Sequence, residues 1–304
     1  MNFQSFKKSG MLLSMLARDF LTMQIGEQVP TISQYVEQFE VSRGVVQDVL
    51  LFLQEEKCIT LLKRGVKGSI LIEKNMQKLF QHTEWNYIKG IMPTPINPYL
   101  RSLATAILGL MKEKEIPFSF SYIMGGERRS LLLDNQAYDF CIVSENTALR
   151  FVSQCENLEV AMQLSPSIYS PEYVLFINKP NATGVEDGMV VSIDSACYDQ
   201  SLLSRQCAEG KNVTFVEHSA VNSADLFNER KIDVLVTRNF KWYRDDGTVT
   251  VLPIPSTIAD KYPVLLTNRN NYGIKRLLTA CMDPAEISKR QRAVLADPAL
   301  EKFE

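Results

Sequence analysis

The chain has 304 residues, 45% of them hydrophobic and 22% charged, an ordinary globular balance that excludes a largely disordered protein. That length suits two domains, or one small domain followed by a larger two-lobed one. The formal charge of −2 says nothing for nucleic acid when averaged, so charge is counted by segment. Residues 41–72 hold Arg43, Lys57, Lys63, Arg64 and Lys67 against Asp48, Glu55 and Glu56, five positive charges against three negative. That local excess sits inside a mildly acidic protein.

Six cysteines (Cys58, Cys141, Cys155, Cys197, Cys207, Cys281) are scattered, and only two histidines, His82 and His218, accompany them. No CxxC or Cys/His spacing marks a zinc site, so neither a metal nor a cofactor is expected. The cysteines read as reduced, buried thiols. The opening MNFQSFKKSG is polar and basic, and the apolar stretch from Met11 to Ile25 is broken by Arg18 and Asp19. It has neither a signal-peptide core nor a small-residue cleavage site. No uncharged apolar run reaches about 18 residues, so no membrane partner is expected and the reading is cytoplasmic.

The first predicted helix runs from about Lys7 to Gln24, with Met11, Leu12, Met15, Leu16, Phe20 and Leu21 in a stripe at helical spacing. Gly26 stops it. Pro30 precedes the cap of a second helix, Thr31 caps it, and Ile32, Tyr35, Val36 and Phe39 face inward. Ser42 caps a third helix reaching Glu55 or Glu56. Two β-rich runs, 58–62 and 69–72, then flank the basic turn Lys63-Arg64-Gly65-Val66-Lys67-Gly68 as a hairpin. Residues 1–73 therefore read as a winged helix-turn-helix, and 74–86 as a partly helical linker.

From Tyr87 the texture alternates between short β runs and helical stretches, an α/β signature. Strands are predicted near 87–92, 117–123, 138–143, 158–164, 172–178, 189–193, 213–217, 233–236, 249–253 and 263–267. Helices are predicted near 97–114, 127–134, 145–154, 197–209, 221–229, 272–281 and 284–296. Residues 87–304 form a two-lobed domain whose inserted lobe spans about 170–245, with crossings near Ser165–Pro171 and Phe240–Gly247.

The order of parts from Val29 to Ile72 points to DNA. A helix-turn-helix lays its second helix in a major groove about 12 Å wide, start first. The turn is Phe39-Glu40-Val41, so Ser42, Arg43, Gly44 and Gln47 form the expected contact set, with Thr31 beside them. Arg43 suits a phosphate or a guanine edge, and Gln47 a base edge. Lys63, Arg64 and Lys67 on the wing suit phosphate or the minor groove.

The segment PTISQYVEQFEVSRGVVQDVLLFLQEEKCITLLKRGVKGSILIE resembles the winged helix of GntR-type regulators. It has a Pro-Thr opening, a Val-Ser-Arg start to the recognition helix, and a basic, glycine-containing wing. That resemblance covers about a quarter of the chain and implies a homodimer on a two-fold, double-stranded operator. Glu55 and Glu56 depart from it, fitting only if that helix end points away from phosphate. The alternatives are a winged helix used for protein contacts, in a scaffold, or a chance helical hairpin.

Beyond Trp85 the all-helical, metal-binding effector domain of GntR regulators does not fit, because the histidines are missing. The α/β pattern resembles instead the two-lobed periplasmic-binding-protein fold of type II. The whole chain resembles the YhfZ family, on KKSGMLLSMLARDFL, Ile91-Met92-Pro93-Thr94-Pro95, Asn135-Gln136-Ala137-Tyr138-Asp139-Phe140 and Glu172-Tyr173-Val174-Leu175. It implies a ligand crevice beyond the carboxyl ends of strands, where helix starts present free amides. Candidate effector residues are Pro93, Thr94, Gly125, Gly126, Arg128, Arg129 and Ser144 in one lobe. In the other they are Asp194, Ser195, His218, Ser219 and Thr237. Amides, hydroxyls and arginines favour a small anionic effector.

Each candidate also has a purely structural reading: Pro93-Thr94-Pro95 as a rigid turn, Ser144 and Thr237 as helix caps, Asp194 as an Asx turn, His218 as a hydrogen-bonded structural residue. The alternative function is an enzyme on a binding-protein-like fold, with the winged helix as accessory. There is no GxSxG, GxxxxGK[ST] or HExxH, and Gly125-Gly126 does not begin a GxGxxG, so no catalytic residue is assigned. Turnover separates enzyme from regulator, and salt-dependent DNA affinity separates regulator from scaffold.

Overall fold

The computed structural model describes residues 3–65, 68–165, 173–218, 222–239, 247–254 and 262–297, with side chains from Ser9 onward. Lys67 and Ser219, expected on the wing and in the crevice, lie outside the described residues. The chain forms two compact units: Met1–Ile88, Leu108–Ser119 and Asn271–Asp283 in the first, Lys89–Ile107, Phe120–Asn270 and Pro284–Glu304 in the second.

The first unit begins with α1 (Phe3–Thr22), β1 (Gln28–Val29), α2 (Ile32–Phe39), α3 (Arg43–Glu55), β2 (Ile59–Lys63), β3 (Ser69–Lys74) and α4 (Met76–Gln81). The apolar stripe of α1 buries Leu12, Leu16, Phe20 and Leu21, while Met11 stands exposed. Its last turn leaves carbonyls without helical partners. Lys74 satisfies two of them and the carbonyl just beyond, its Nζ donating to Phe20, Leu21 and Met23 at 3.3, 2.8 and 2.6 Å. β2 and β3 pair antiparallel as the expected hairpin. β1 adds a third strand beside β3; at two residues it is too short to show alternation in sequence. The expected linker carries α4, whose Leu79 and Phe80 are buried, followed by buried Trp85.

Arg18 and Asp19, which break the apolar run of α1, are buried. Their partners come from Glu84 and Trp85 and from residues 272–276, where α10 (Ile274–Cys281) begins. Arg18 Nη1 donates to the Tyr272 carbonyl at 3.1 Å and its guanidinium lies 4.4 Å over the Trp85 ring. Asp19 accepts from the Tyr272 hydroxyl at 3.0 Å and from Arg276 at 3.2 Å. Burial nevertheless raises the Asp19 pKa, outweighing those two partners. Tyr35 is fully buried and stacks on Phe39 with centroids 6.0 Å apart, but its hydroxyl has no partner.

In the second unit two five-stranded sheets follow one another. The first takes β4 (Ile88–Met92), β5 (Phe118–Tyr122), β6 (Phe140–Ser144) and β7 (Leu158–Gln163). The second takes β8 (Tyr173–Ile177), β9 (Val190–Ile193), β10 (Thr214–Glu217), β11 (Val234–Arg238) and β12 (Thr250–Pro253). The chain then returns as β13 (Pro263–Asn268) between β6 and β7, giving orders β5-β4-β6-β13-β7 and β10-β9-β11-β8-β12. Helices α5 (Pro98–Glu113), α6 (Gly126–Asp134), α7 (Glu145–Gln154), α8 (Tyr198–Cys207), α9 (Ser223–Asn228) and α11 (Pro284–Ala296) complete the fold. This is the two-lobed α/β arrangement read from the sequence, with one correction. β12 pairs antiparallel with β8, so the second sheet includes Thr250–Pro253, beyond the expected end of the inserted lobe near 245; the crossings expected near 165–171 and 240–247 lie almost wholly outside the described residues. Val251 and Leu252 pack on the second sheet's apolar clusters, which is why that strand stays with it.

Two substitutions test this packing. Leu16→Ala removes a fully buried side chain and is expected to cost about 2–5 kcal/mol. Tyr35→Phe removes a buried hydroxyl that bonds to nothing, so urea denaturation should show a loss below about 1 kcal/mol, or a gain.

Candidate functional site

Local chemistry positions the helix-turn-helix. Thr31 and Gln34 form a reciprocal capping box: the Gln34 N–H donates to Thr31 Oγ1 at 3.3 Å and the Thr31 N–H to Gln34 Oε1 at 2.7 Å. Glu40 ends α2 in the left-handed region at φ 51°, and Ser42 Oγ then accepts from the Val45 N–H to start α3. Ser42, Arg43, Gly44 and Gln47 are all exposed, as are Thr31, Lys63 and Arg64. A Cβ on Gly44 would meet nothing within 4 Å, so no packing demands glycine there, and its absence leaves backbone open to close approach. The wing turn closes through Arg64 N–H to the Gly68 carbonyl at 2.8 Å. Glu55 and Glu56 lie at the far end of α3, roughly 20 Å from Ser42 at 1.5 Å per residue.

The crevice candidates divide. Gly125 meets Ala196 of the second lobe, while Gly126, Ser144 and Arg129 have their neighbours within the first. Gly125 has φ 88°, and a Cβ there would lie 2.5 Å from the Ala196 carbonyl oxygen. Gly126 brings α6 against Thr147, 3.0 Å from such a Cβ. Ser144 caps α7, its Oγ accepting from the Thr147 N–H at 3.2 Å and lying 2.8 Å from Thr147 Oγ1. Arg129 is a buried brace, donating to the Ile142 and Ile123 carbonyls at 3.0 and 2.7 Å.

The others serve local structure. Asp194 is an Asx turn, accepting from the Ala196 N–H at 3.0 Å. His218 Nε2 lies 2.7 Å from Ser192 Oγ. Pro93 is buried, and the Thr94 carbonyl closes a tight turn with the Ile96 N–H at 2.8 Å. Thr237 lies inside β11, opposite Val174, and caps no helix. Arg128 and Ser195 are exposed.

The seam between lobes is completed by residues the sequence did not single out. Asp199, in the first turn of α8, is 5% exposed. The Ser144 and Asn146 side chains and the positive charges of Arg238 and Arg129 favour its charged form. Burial outweighs these and raises its pKa. Its Oδ1 has no hydrogen-bond partner. Beside it Arg150 lies 4.6 Å over the Tyr198 ring and pairs with Glu127 at 2.6 Å. Burial pushes the Cys197 thiol up to about 11. An acidic residue in a helix's first turn is ordinary, so nothing in the sequence distinguishes Asp199. Elsewhere a cavity of about 550 Å³ opens where the chain crosses between sheets, lined by Gln163, Ser165, Tyr262, Ser288 and Arg292 among others.

No three potential metal ligands cluster among the described residues, and no helix there is long and apolar enough to cross a membrane. An exposed helix-turn-helix followed by a two-lobed α/β domain is the make-up of a DNA-binding regulator. Residues 24–71 match a helix-turn-helix domain family and residues 75–303 match the YhfZ C-terminal domain. The chain belongs to the YhfZ family. It is 26% identical over 299 residues to the uncharacterized protein YhfZ of Escherichia coli (strain K12), covering 95% of this chain and 96% of that one. The crystal structure of YhfZ from Shigella flexneri aligns with TM-score 0.61 and 24% identity over 72% of this chain and 94% of its own. A periplasmic substrate-binding protein of an ABC transporter from Coxiella burnetii aligns at TM-score 0.47 and 12% identity, over 68% and 96% respectively.

Gly125→Ala tests the seam. A side chain at φ 88° is strained by about 1–3 kcal/mol and also meets the Ala196 carbonyl. Urea denaturation should show at least that loss, and small-angle scattering should show an expanded particle.

Proposed function

We propose that this protein is a transcription regulator that binds an operator through a GntR-like winged helix and responds to a small anionic effector held between the lobes of its C-terminal domain. The observation that carries the reading is the exposed arc Ser42, Arg43, Gly44 and Gln47 at the start of α3, with Lys63 and Arg64 on the wing beside it. Residues at a helix start reach base edges, and cations on a wing meet phosphates. The effector part rests on the polar seam at Ser144, Arg129 and Asp199, where both lobes supply groups. Hydrogen-bonding side chains at a lobe boundary bias a two-state closure by their differential contacts. One winged helix contacts few base pairs, so a two-fold dimer supplies the remaining specificity.

Arg43→Ala and Gln47→Ala should each lower operator affinity by about 1–3 kcal/mol and relax specificity at one position. Lys63→Ala should weaken all DNA sequences alike and reduce the salt slope by about one unit. Fluorescence titration at several salt concentrations reads both, and an Arg43→Ala/Lys63→Ala protein binding like wild type would refute the assignment. Light scattering should show a dimer on operator DNA; a strict monomer, free and bound, would exclude the two-fold mode.

A further inference from the structure

The cavity of about 550 Å³ at the end of the first sheet has the size of a small-molecule pocket, for which about 300–1,000 Å³ is usual. Its described lining residues all belong to the second compact unit. One wall is the end of the β7–β13 ladder, where the Leu164 N–H donates to the Pro263 carbonyl at 2.9 Å and Tyr262 stands beside that pair. The other wall is one face of α11: Pro284, Ser288 and Arg292 recur every four residues and so stack along the helix. None of these residues belongs to the seam at Gly125, Ser144 and Asp199.

Three polar groups on those walls lack partners. Ser288 is 3% exposed, yet among the described residues its hydroxyl makes no hydrogen bond. Buried polar groups nearly always find one, and a hydroxyl inside a helix can turn back to the carbonyl four residues earlier. Ser130, equally enclosed, does so, donating to Gly126 at 3.0 Å, and Thr105 donates to Arg101 at 3.0 Å. Ser288 has Pro284 in that position and makes no such bond. The Arg292 guanidinium pairs with no carboxylate among the described residues, whereas Arg290, two residues earlier, is held by Glu286 at 2.8 Å. The Tyr262 hydroxyl has no partner among the described residues either. No acidic side chain is among the described residues lining the cavity. Glu145, which accepts from Gln163 Nε2 at 3.3 Å, stands behind that wall.

We infer that this cavity is a second small-molecule site, separate from the seam, for a compound that carries a carboxylate or phosphate head on a short apolar body. The Arg292 guanidinium is a planar fork that matches two oxygens of such a head. The Ser288 and Tyr262 hydroxyls donate to the same head, and Leu164 and Pro284 cover the apolar body. The first turn of α11 adds the positive end of the helix dipole. Binding supplies the hydrogen bond that Ser288 lacks and pairs the Arg292 charge. The site goes beyond the effector reading above, because it requires neither DNA nor any change at the seam.

Titration calorimetry of the full chain with butyrate, and separately with inorganic phosphate, tests the site, with butanol as the uncharged control. At least one of the two anions should bind saturably and more tightly than butanol, and the tighter one identifies the head. Arg292→Gln should weaken that anion by about tenfold or more, the loss expected when a charged hydrogen-bond partner is removed. Lys289→Gln removes an exposed charge on the same helix that does not line the cavity, and it should change affinity by less than about twofold. Ser288→Ala should weaken the anion by about fivefold without lowering the thermal midpoint, because that hydroxyl bonds to no other described residue. A hydroxyl that served only the fold would leave the affinity as it was. Absence of saturable binding by both anions overturns the inference, as does equal affinity in wild type and Arg292→Gln. In that second case an anion that still binds sits elsewhere, and the effector reading at the seam survives. Should both cavity variants lose the anion while operator affinity ignores it throughout, the second site stands and the effector reading must be tested at the seam alone.

Discussion

Strand β13 holds the C-terminal fold together. All six of its residues are buried, and it pairs antiparallel with β6 on one side and β7 on the other. Between β7 and β13 the chain has built the whole second sheet, so the first sheet is complete only when the chain returns. That return requires two crossings, and two crossings are what permit one lobe to be inserted into another. Leu265 and Leu266, both fully buried, contribute about 1.5–3 kcal/mol each by leaving water. Asn268 anchors the far end, its Nδ2 donating to the Leu133 and Asp134 carbonyls at 3.3 and 3.0 Å.

The same strand runs on into the first unit. A few residues after Asn268, Tyr272 and Arg276 supply the partners of Asp19 on α1, and Tyr272 also accepts from Gln38 of α2 at 3.1 Å. The helices α1 and α2 are thus bonded to the chain that follows β13. Asp19 and Asp199 share one physics, in one unit each. Both have donors and a nearby arginine, and in both the loss of solvent outweighs that help and raises the pKa. A buried carboxylate in that balance responds to small changes in its partners.

The crevice also shows why residue type at strand ends is a weak guide to a ligand. Asp194, Ser144 and His218 are polar groups of the expected kind, and each has a protein partner close by. A buried polar group must find a partner, and folding supplies the nearest. Arg129 illustrates the same rule, since its donors brace two backbone carbonyls. Asp199, whose buried Oδ1 has no hydrogen-bond partner, lies one helical turn beyond the candidate loop that starts at Asp194.

Much of this protein is legible along the chain. The caps at Thr31, Ser42 and Ser144 each accept from a backbone N–H three residues on, and such i to i+3 bonds can be read from order alone. The ten strands and seven helices expected beyond residue 87 all recur within a few residues, because their apolar periodicities are local. What tertiary structure decided are pairings across long separations. Arg18 and Asp19 read as interruptions of an apolar helix, and only residues 84–85 and 272–276 make them a buried network. The strand at 250–253 was evident as a strand, but its pairing with β8 placed it in the second sheet. Asp199 looks like any helix-start carboxylate until the fold brings α7 against it. Periodicity and capping act over one or two turns. Which buried charge meets which donor is set by desolvation and geometry after the lobes have closed.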